Sequence, residues 1–311
     1  SIVTNIDDDH LDHFKTLGGV QAAFGTFFEQ IDSDDHLFWC GDCPRLRELR
    51  PAGFSYGFDL ANDWVISDLK MEGEELSFSL SFGEKHYSGV RLRGIGAHMA
   101  LNAAGAFALC TSLGVCEEAI RRALAHFGGV RRRLELRTQA PYLAIYDDYA
   151  HHPTEVESVL KALSEAYPER RLVVAFQPHR YTRLQAGLDR FAKALERADR
   201  ALITPVYAAG EQKIWNADEG ALIDAINAIR PGCARGVRLD QLAHAIVDEL
   251  RPHDLFVTLG AGDITDIHRD LNEHFASHNP PKTQSSLYLW GRFFRKSGRY
   301  LVLGEHRRCA R

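Results

Sequence analysis

Eight consecutive residues, Asp148-Tyr149-Ala150-His151-His152-Pro153-Thr154-Glu155, put a carboxylate, a phenol and two imidazoles into one short stretch. Groups of these types take up and release protons near neutral pH and orient polar substrates. The plainer alternative is a surface turn in which Asp148 serves only as a cap. Adjacent imidazoles rarely reach the same ion, so His151-His152 alone makes a poor metal site. A second stretch, Phe176-Gln177-Pro178-His179-Arg180-Tyr181-Thr182-Arg183, places Arg180 and Arg183 three residues apart. One helical turn would aim both guanidiniums at a carboxylate or a phosphate. A solvated cluster of charge is the competing account, but two such stretches on neighbouring elements reinforce each other.

Other candidates are weaker. Gly96–Ala104 opens a helix with small residues, and Asn102 there offers both a donor and an acceptor; alone, the segment is as readily explained by helix packing. Arg131-Arg132-Arg133 suits a polyphosphate, although an exposed run of charge is the commoner outcome. Cys40-Gly41-Asp42-Cys43 imitates a redox Cys-x-x-Cys, yet it is expected in a strand-to-turn setting rather than at a helix start, and there is no second pair for zinc. Gly260-Ala261-Gly262-Asp263 lacks the third glycine of a dinucleotide fingerprint and reads as a tight strand–helix turn. No Gly-x-x-x-x-Gly-Lys-Ser/Thr loop occurs in these residues.

The elements that must hold these groups follow from periodicity. From Trp64 to Leu92 apolar residues alternate (Leu76, Phe78, Leu80, Phe82), predicting antiparallel hairpins with turns at Gly73 and Gly83. Helices are predicted over Leu17–Ile31, Ala97–Leu113 and Glu117–Phe127, with a strand over His36–Cys40. After about residue 135 the rhythm becomes strand–helix–strand. Strands are expected at 143–146, 172–176, 201–205 and 254–259, with helices at 154–167, 184–198, 219–228, 239–250 and 264–274. That alternation predicts an α/β fold with a mostly parallel, doubly wound sheet, in which ligands bind outside the carboxyl ends of the strands. Both chemically rich stretches fall at such ends.

The chain has 311 residues, 45% hydrophobic and 25% charged, with a formal charge of −5. At roughly 150 residues per domain this suits two cores and excludes disordered, collagen-like and disulfide-scaffold classes. Nothing marks the whole chain for nucleic acid or an anionic membrane, and no apolar run approaches the roughly 18 residues of a membrane span. Six cysteines without a signal peptide point to a reducing cytoplasm.

Taken in order, these motifs resemble the Mur ligases. The resemblance runs from Ser1 to about Ala276 through Ile2–Ile6, Asp9-His10-Leu11-Asp12, Gly96–Ala104, Arg132–Glu135, Asp147–Glu155, Phe176–Arg183 and Gly260–Ile264. It implies part of a central ATPase domain over residues 1–133, a Rossmann-like C-terminal domain over 134–278, and a basic tail over 279–311. It implies ATP-dependent, ADP-forming ligation of L-alanine to the carboxylate of UDP-N-acetylmuramate through an acyl phosphate, with ATP and Mg2+ as cofactors. By the same resemblance His10 is a magnesium ligand. Asn102, Arg133 and Asp148 contact ATP, Asp148 from across the domain cleft. Tyr149, His151, His179, Arg180 and Arg183 line the site where alanine and the muramoyl carboxylate meet; His10, Arg133, Asp148 and His151 carry the chemistry. Met99 stands where the family pattern has Asn.

The chain opens in a strand-like segment without Met, so it is expected to be a piece lacking the first domain and the phosphate-binding loop, and inactive alone. A non-catalytic binding module retaining this fold is the alternative; a nicotinamide dehydrogenase using the Gly260 turn is disfavoured. In the tail, residues 288–296 back-translated and shifted by one base resemble the glycine-rich opening of a D-alanine–D-alanine ligase, implying a frameshifted fusion.

Overall fold

The structure, a computed structural model, describes residues 1–140 and 143–277; the tail lies outside them. Contacts divide the chain into two units. The first takes in 1–135, 152–170 and 193–197, the second 136–151, 171–192 and the residues from 198 onward.

The first unit is built on a sheet of β1 (Ile2–Val3), β2 (Phe38–Cys40), β3 (Phe54–Gly57), β4 (Trp64–Glu72), β5 (Glu75–Phe82) and β6 (Lys85–Arg93), in that spatial order. The pairs from β1 to β4 are parallel, and β4–β5–β6 are antiparallel as the alternation predicts. Helix Ala97–Ser112 covers it, burying Ala100, Ala103, Ala104, Phe107 and Ala108. Small side chains let this helix approach closely. A Cβ on Gly105 would meet the Tyr56 ring at 2.9 Å, so that position has no room for a side chain. Trp64 stacks on Phe82 at 4.6 Å, and Tyr87 meets Phe107 edge-on at 5.0 Å, closing the core.

The second sheet comprises β7 (Glu135–Ala140), β8 (Leu143–Asp148), β9 (Leu172–Phe176), β10 (Arg200–Ile203), β11 (Ala234–Gly236) and β12 (Leu255–Leu259), ordered β11-β10-β9-β12-β8-β7. The pairs β10–β11, β9–β10, β9–β12 and β8–β12 are all parallel. β8, β9 and β12 are buried along their whole length, which is why they read as continuous apolar runs. The expected parallel α/β architecture is thus present.

Several boundaries move. The strand expected at 143–146 continues to Asp148, and the helix expected from Leu184 starts at Tyr181. Short elements not foreseen are β3, β7, β11 and helix Pro44–Leu49. That helix corrects the setting expected for Cys40 and Cys43: Cys43 is its N-cap. Cys40 nevertheless lies buried in β2, where burial pushes its thiol up to about 11, away from reactivity.

Asp147 is fully buried in β8, its side chain spent on structure. Thr258 donates to one carboxylate oxygen at 2.7 Å and Thr265 to the other at 2.7 Å, while His268 Nε2 donates to Thr258 Oγ1 at 2.7 Å. Burial alone would raise its pKa, but hydrogen bonding with His268, Thr258 and Thr265 holds it at about 2. Because that value lies below the ordinary 3.8, the stabilisation is complete above 3.8 and disappears as the pH falls through about 2. Asp147→Asn is expected to cost about 2 kcal/mol at pH 7, measured by urea unfolding. The variant should also lose less of its remaining stability than the parent between pH 4 and pH 2.

Candidate active site

The register of the second sheet levels its strand ends. Asp148 pairs with Leu259, Leu259 with Phe176, and Phe176 with Ile203. The segments leaving β8, β9, β10 and β12 therefore start from one edge, the carboxyl edge of an open parallel sheet. There Tyr149 and His151 meet with ring centroids 5.1 Å apart, His151 and His179 at 5.6 Å, and His179 stacks on Tyr207 at 5.3 Å with 11° between planes.

The proton on each imidazole is fixed by partners that can only donate or only accept. Arg183 Nη1 lies 3.2 Å from His179 Nδ1; a guanidinium has no acceptor, so Nδ1 holds the lone pair and Nε2 the proton. His151 Nδ1 lies 3.0 Å from the Tyr149 carbonyl, which only accepts, so here Nδ1 carries a proton. The pair presents the Nε2–H of His179 and the Nε2 of His151. Burial, aided by His151, Arg183 and Arg180, pushes the His179 imidazole down to about 4, so it is neutral at physiological pH.

Arg180 sits just before helix Tyr181–Leu195 with φ 68°, in the left-handed region. Arg183 occupies the first turn of that helix and also donates to the His179 carbonyl at 3.2 Å. Glu211 accepts from the Thr182 amide at 3.0 Å and its hydroxyl at 2.6 Å, with Arg180 Nε 3.7 Å away. Of the residues singled out from sequence, Tyr149, His151, His179, Arg180 and Arg183 thus share one edge of the second unit.

Tyr207, Glu211 and Gln177 were missed as site residues. Gln177 donates to Asp263 at 2.7 Å and accepts from the Ile264 amide at 3.1 Å, tying the end of β9 to the Gly260 turn. A signal did exist: Tyr207 and Glu211 follow the strand expected at 201–205, hence the same edge. Asp148 is buried at the end of β8 and accepts from the Ala150 amide at 2.7 Å, the capping arrangement weighed from sequence.

The remaining expected site residues belong to the first unit. Asn102 is exposed on helix Ala97–Ser112, and the neighbouring Met99 lies against Gly94. Arg133 lies 3.5 Å from Glu155. His10, 70% exposed in its side chain, has φ 57° and Nε2 3.7 Å from Asp9. Among the described residues, one group able to gather around a metal ion is Asp7, Asp8 and His152, with ligand atoms within 4.8 Å of one another. His10 is outside it. Arg45 pairs with Asp7 Oδ1, and Thr154 donates to Asp7 Oδ2 at 2.6 Å. Although burial acts to raise it, hydrogen bonds from Thr154 and Arg45 hold the Asp7 carboxyl well below the usual carboxylate range. The group reads first as a knot of charge.

Residues 1–110 match the Mur ligase middle domain, and residues 132–262 match the family described as Mur ligase, glutamate ligase domain. The chain belongs to the Mur ligase family. A UDP-N-acetylmuramate–L-alanine ligase of Protochlamydia amoebophila is 38% identical over 268 residues, 86% of this chain but 59% of that protein. This Mur ligase chain therefore spans under two thirds of the relative's length. A bifunctional MurC/Ddl enzyme of Chlamydia trachomatis is 34% identical over 94% of this chain and 36% of its own length, so fused MurC/Ddl relatives exist. The crystal structure of the UDP-N-acetylmuramate–alanine ligase MurC from Thermotoga maritima superposes with a TM-score of 0.73 at 27% identity, covering 89% of this chain and 59% of that one. Among the described residues no helix is long and apolar enough to cross a membrane.

The depressed pKa of His179 has a consequence for stability. Between pH 6.5 and about 4 the unfolded chain binds a proton there that the folded one refuses, so stability falls as the pH drops through that window. Histidine-resolved NMR titration should place the His179 midpoint near 4, and Arg183→Ala should move it upward by removing a facing positive charge.

Proposed function

We propose that this Mur ligase chain carries the middle and C-terminal parts of an enzyme that joins L-alanine to the carboxylate of UDP-N-acetylmuramate through an acyl phosphate, in the cytoplasmic synthesis of peptidoglycan precursor. The observation that carries the reading is the Tyr149–His151–His179–Arg183 cluster at the carboxyl edge of the second sheet. It occurs in a chain that is 38% identical to a relative bearing that activity in its name. In this reading the boundary between the two domains falls at residues 133–134.

Arg180 and Arg183 suit the carboxylates of an amino acid and of the muramoyl group, because paired guanidiniums bind such groups with directed, charge-assisted hydrogen bonds. His179, held neutral, donates from Nε2 without adding a third positive charge. His151, in its neutral form, takes a proton at Nε2 from the ammonium of the incoming amino acid, which frees the amine lone pair for attack. Tyr149 orients His151 through its carbonyl.

Bound ATP supplies the phosphoryl group, and Mg2+ neutralises its charge. Of the residues present, Asp7 and Asp8 offer oxygen donors of the kind Mg2+ prefers, with ligand atoms within 4.8 Å of one another and of His152, and the exposed His10 stands outside that group. In this reading His10 is a magnesium ligand, and Asn102, Arg133 and Asp148 hold the nucleotide. The 311 residues contain no Gly-x-x-x-x-Gly-Lys-Ser/Thr loop, and by themselves are expected to give no turnover.

The test is to put residues 1–277 in place of the matching segment of the Protochlamydia amoebophila relative. The chimera should ligate L-alanine to UDP-N-acetylmuramate with release of ADP, and Arg183→Ala should lower kcat/KM by roughly a hundredfold, the loss typical of a misplaced charged clamp. A folded, ATP-binding chimera that prefers another amino acid would sink the substrate assignment.

A further inference from the structure

We propose that Tyr207 and Glu211, on the segment following β10, are positioning residues that fix His179 and Arg180 in the geometry needed to receive a small carboxylate-bearing amine. The inference deepens the alanine-site reading above and rests on it for the identity of the ligand.

The backbone supplies the first argument. The Arg180 amide donates to the Tyr207 carbonyl at 2.9 Å, and the Tyr207 amide donates to the Pro178 carbonyl at 2.8 Å. These bonds form an isolated parallel bridge between His179 and Tyr207 beyond the ends of β9 and β10. Arg180 holds φ 68° although it carries a side chain, and such a conformation persists only where the surroundings over-determine it. The bridge to Tyr207 is what over-determines it here.

The side chains supply the second. The Tyr207 ring lies flat on His179 at 5.3 Å and backs onto Gly262, where an added Cβ would meet the ring at 2.8 Å. An imidazole on one side and a bare backbone on the other leave the phenol ring one place to sit. The His179 ring is fixed in turn between Tyr207 and the Arg183 guanidinium. Glu211 completes the arrangement: its carboxylate holds both the amide and hydroxyl of Thr182, at the start of the helix bearing Arg183, and faces Arg180 Nε at 3.7 Å. Neither residue needs to touch the substrate. Both act through groups that do.

The charged and titratable groups facing His179 are His151, Arg183, Arg180 and Glu211; burial lowers its pKa most, and Glu211 opposes the shift. The two positions therefore leave opposite signatures. In the full 311-residue chain, followed by histidine-resolved NMR, Tyr207→Ala should expose the ring to water and move the His179 midpoint up from about 4 toward 6.5. Glu211→Gln should move it further down, and Tyr207→Phe should leave it in place. In the chimera described above, Tyr207→Ala should raise KM for L-alanine by roughly tenfold with a smaller change in kcat, and Tyr207→Phe should restore it.

An unchanged His179 midpoint in folded Tyr207→Ala overturns the proposal. So does a moved midpoint with KM for L-alanine unaltered, since the contact would then serve only the fold. If the unsubstituted chimera ligates no L-alanine while both midpoints shift in the stated directions, the positioning role stands and the substrate reading is what fails.

Discussion

The parallel register of β8, β12, β9 and β10 is the constraint on which the second unit's chemistry depends. Because Asp148, Leu259, Phe176 and Ile203 are level, the segments that follow them emerge side by side, though they are far apart in sequence. A one-residue slip of β9 would turn every side chain of that strand to the opposite face and carry His179 and Arg180 along the strand direction. The register is held by burial on both faces of β8, β9 and β12, so it leaves no freedom to adjust the site by sliding strands. Precision at the edge must come from the loops, and there the hydrogen bonds of Gln177 to Asp263 and Ile264 do for β12 what the His179–Tyr207 bridge does for β10.

The readable part of this design was what local pattern controls. Uninterrupted apolar runs announced β8, β9 and β12, alternation announced β4 to β6, and the general behaviour of open parallel sheets pointed to the stretches after β8 and β9 as a candidate site, which the structure brings to one edge. What escaped depends on partners distant in sequence. Helix Tyr181–Leu195 begins three residues earlier than its apolar pattern suggests, because Glu211 meets the Thr182 amide in its first turn. β11 spans three residues and exists through pairing with β10, too short to show a period. Asp147 and Asp148 are neighbours of identical chemistry, yet one has both carboxylate oxygens taken by Thr258 and Thr265, while the other's Oδ1 accepts from the Ala150 amide. No local reading separates them.

The second unit also divides its charge between the two ends of the sheet. At the amino ends, Arg171 precedes β9 and donates to Asp254 at 2.7 Å, and Arg200 at the start of β10 donates to Glu249 at 3.2 Å. Those carboxylates are nearly buried, at 3% and 8% side-chain exposure, so their attraction to arginine is little screened and is spent on holding strands together. At the carboxyl ends the balance differs: Arg180 and Arg183 converge on His179, faced by Glu211. A third cation there would cost more than it returns. Keeping His179 neutral lets it donate a hydrogen bond beside the arginines without adding to their repulsion. The edge therefore keeps positive charge at Arg180 and Arg183, while His151, with a proton on Nδ1, turns its Nε2 to the same edge. In the reading proposed above, an amino acid would bring its carboxylate and its amine, both on one carbon, to this edge.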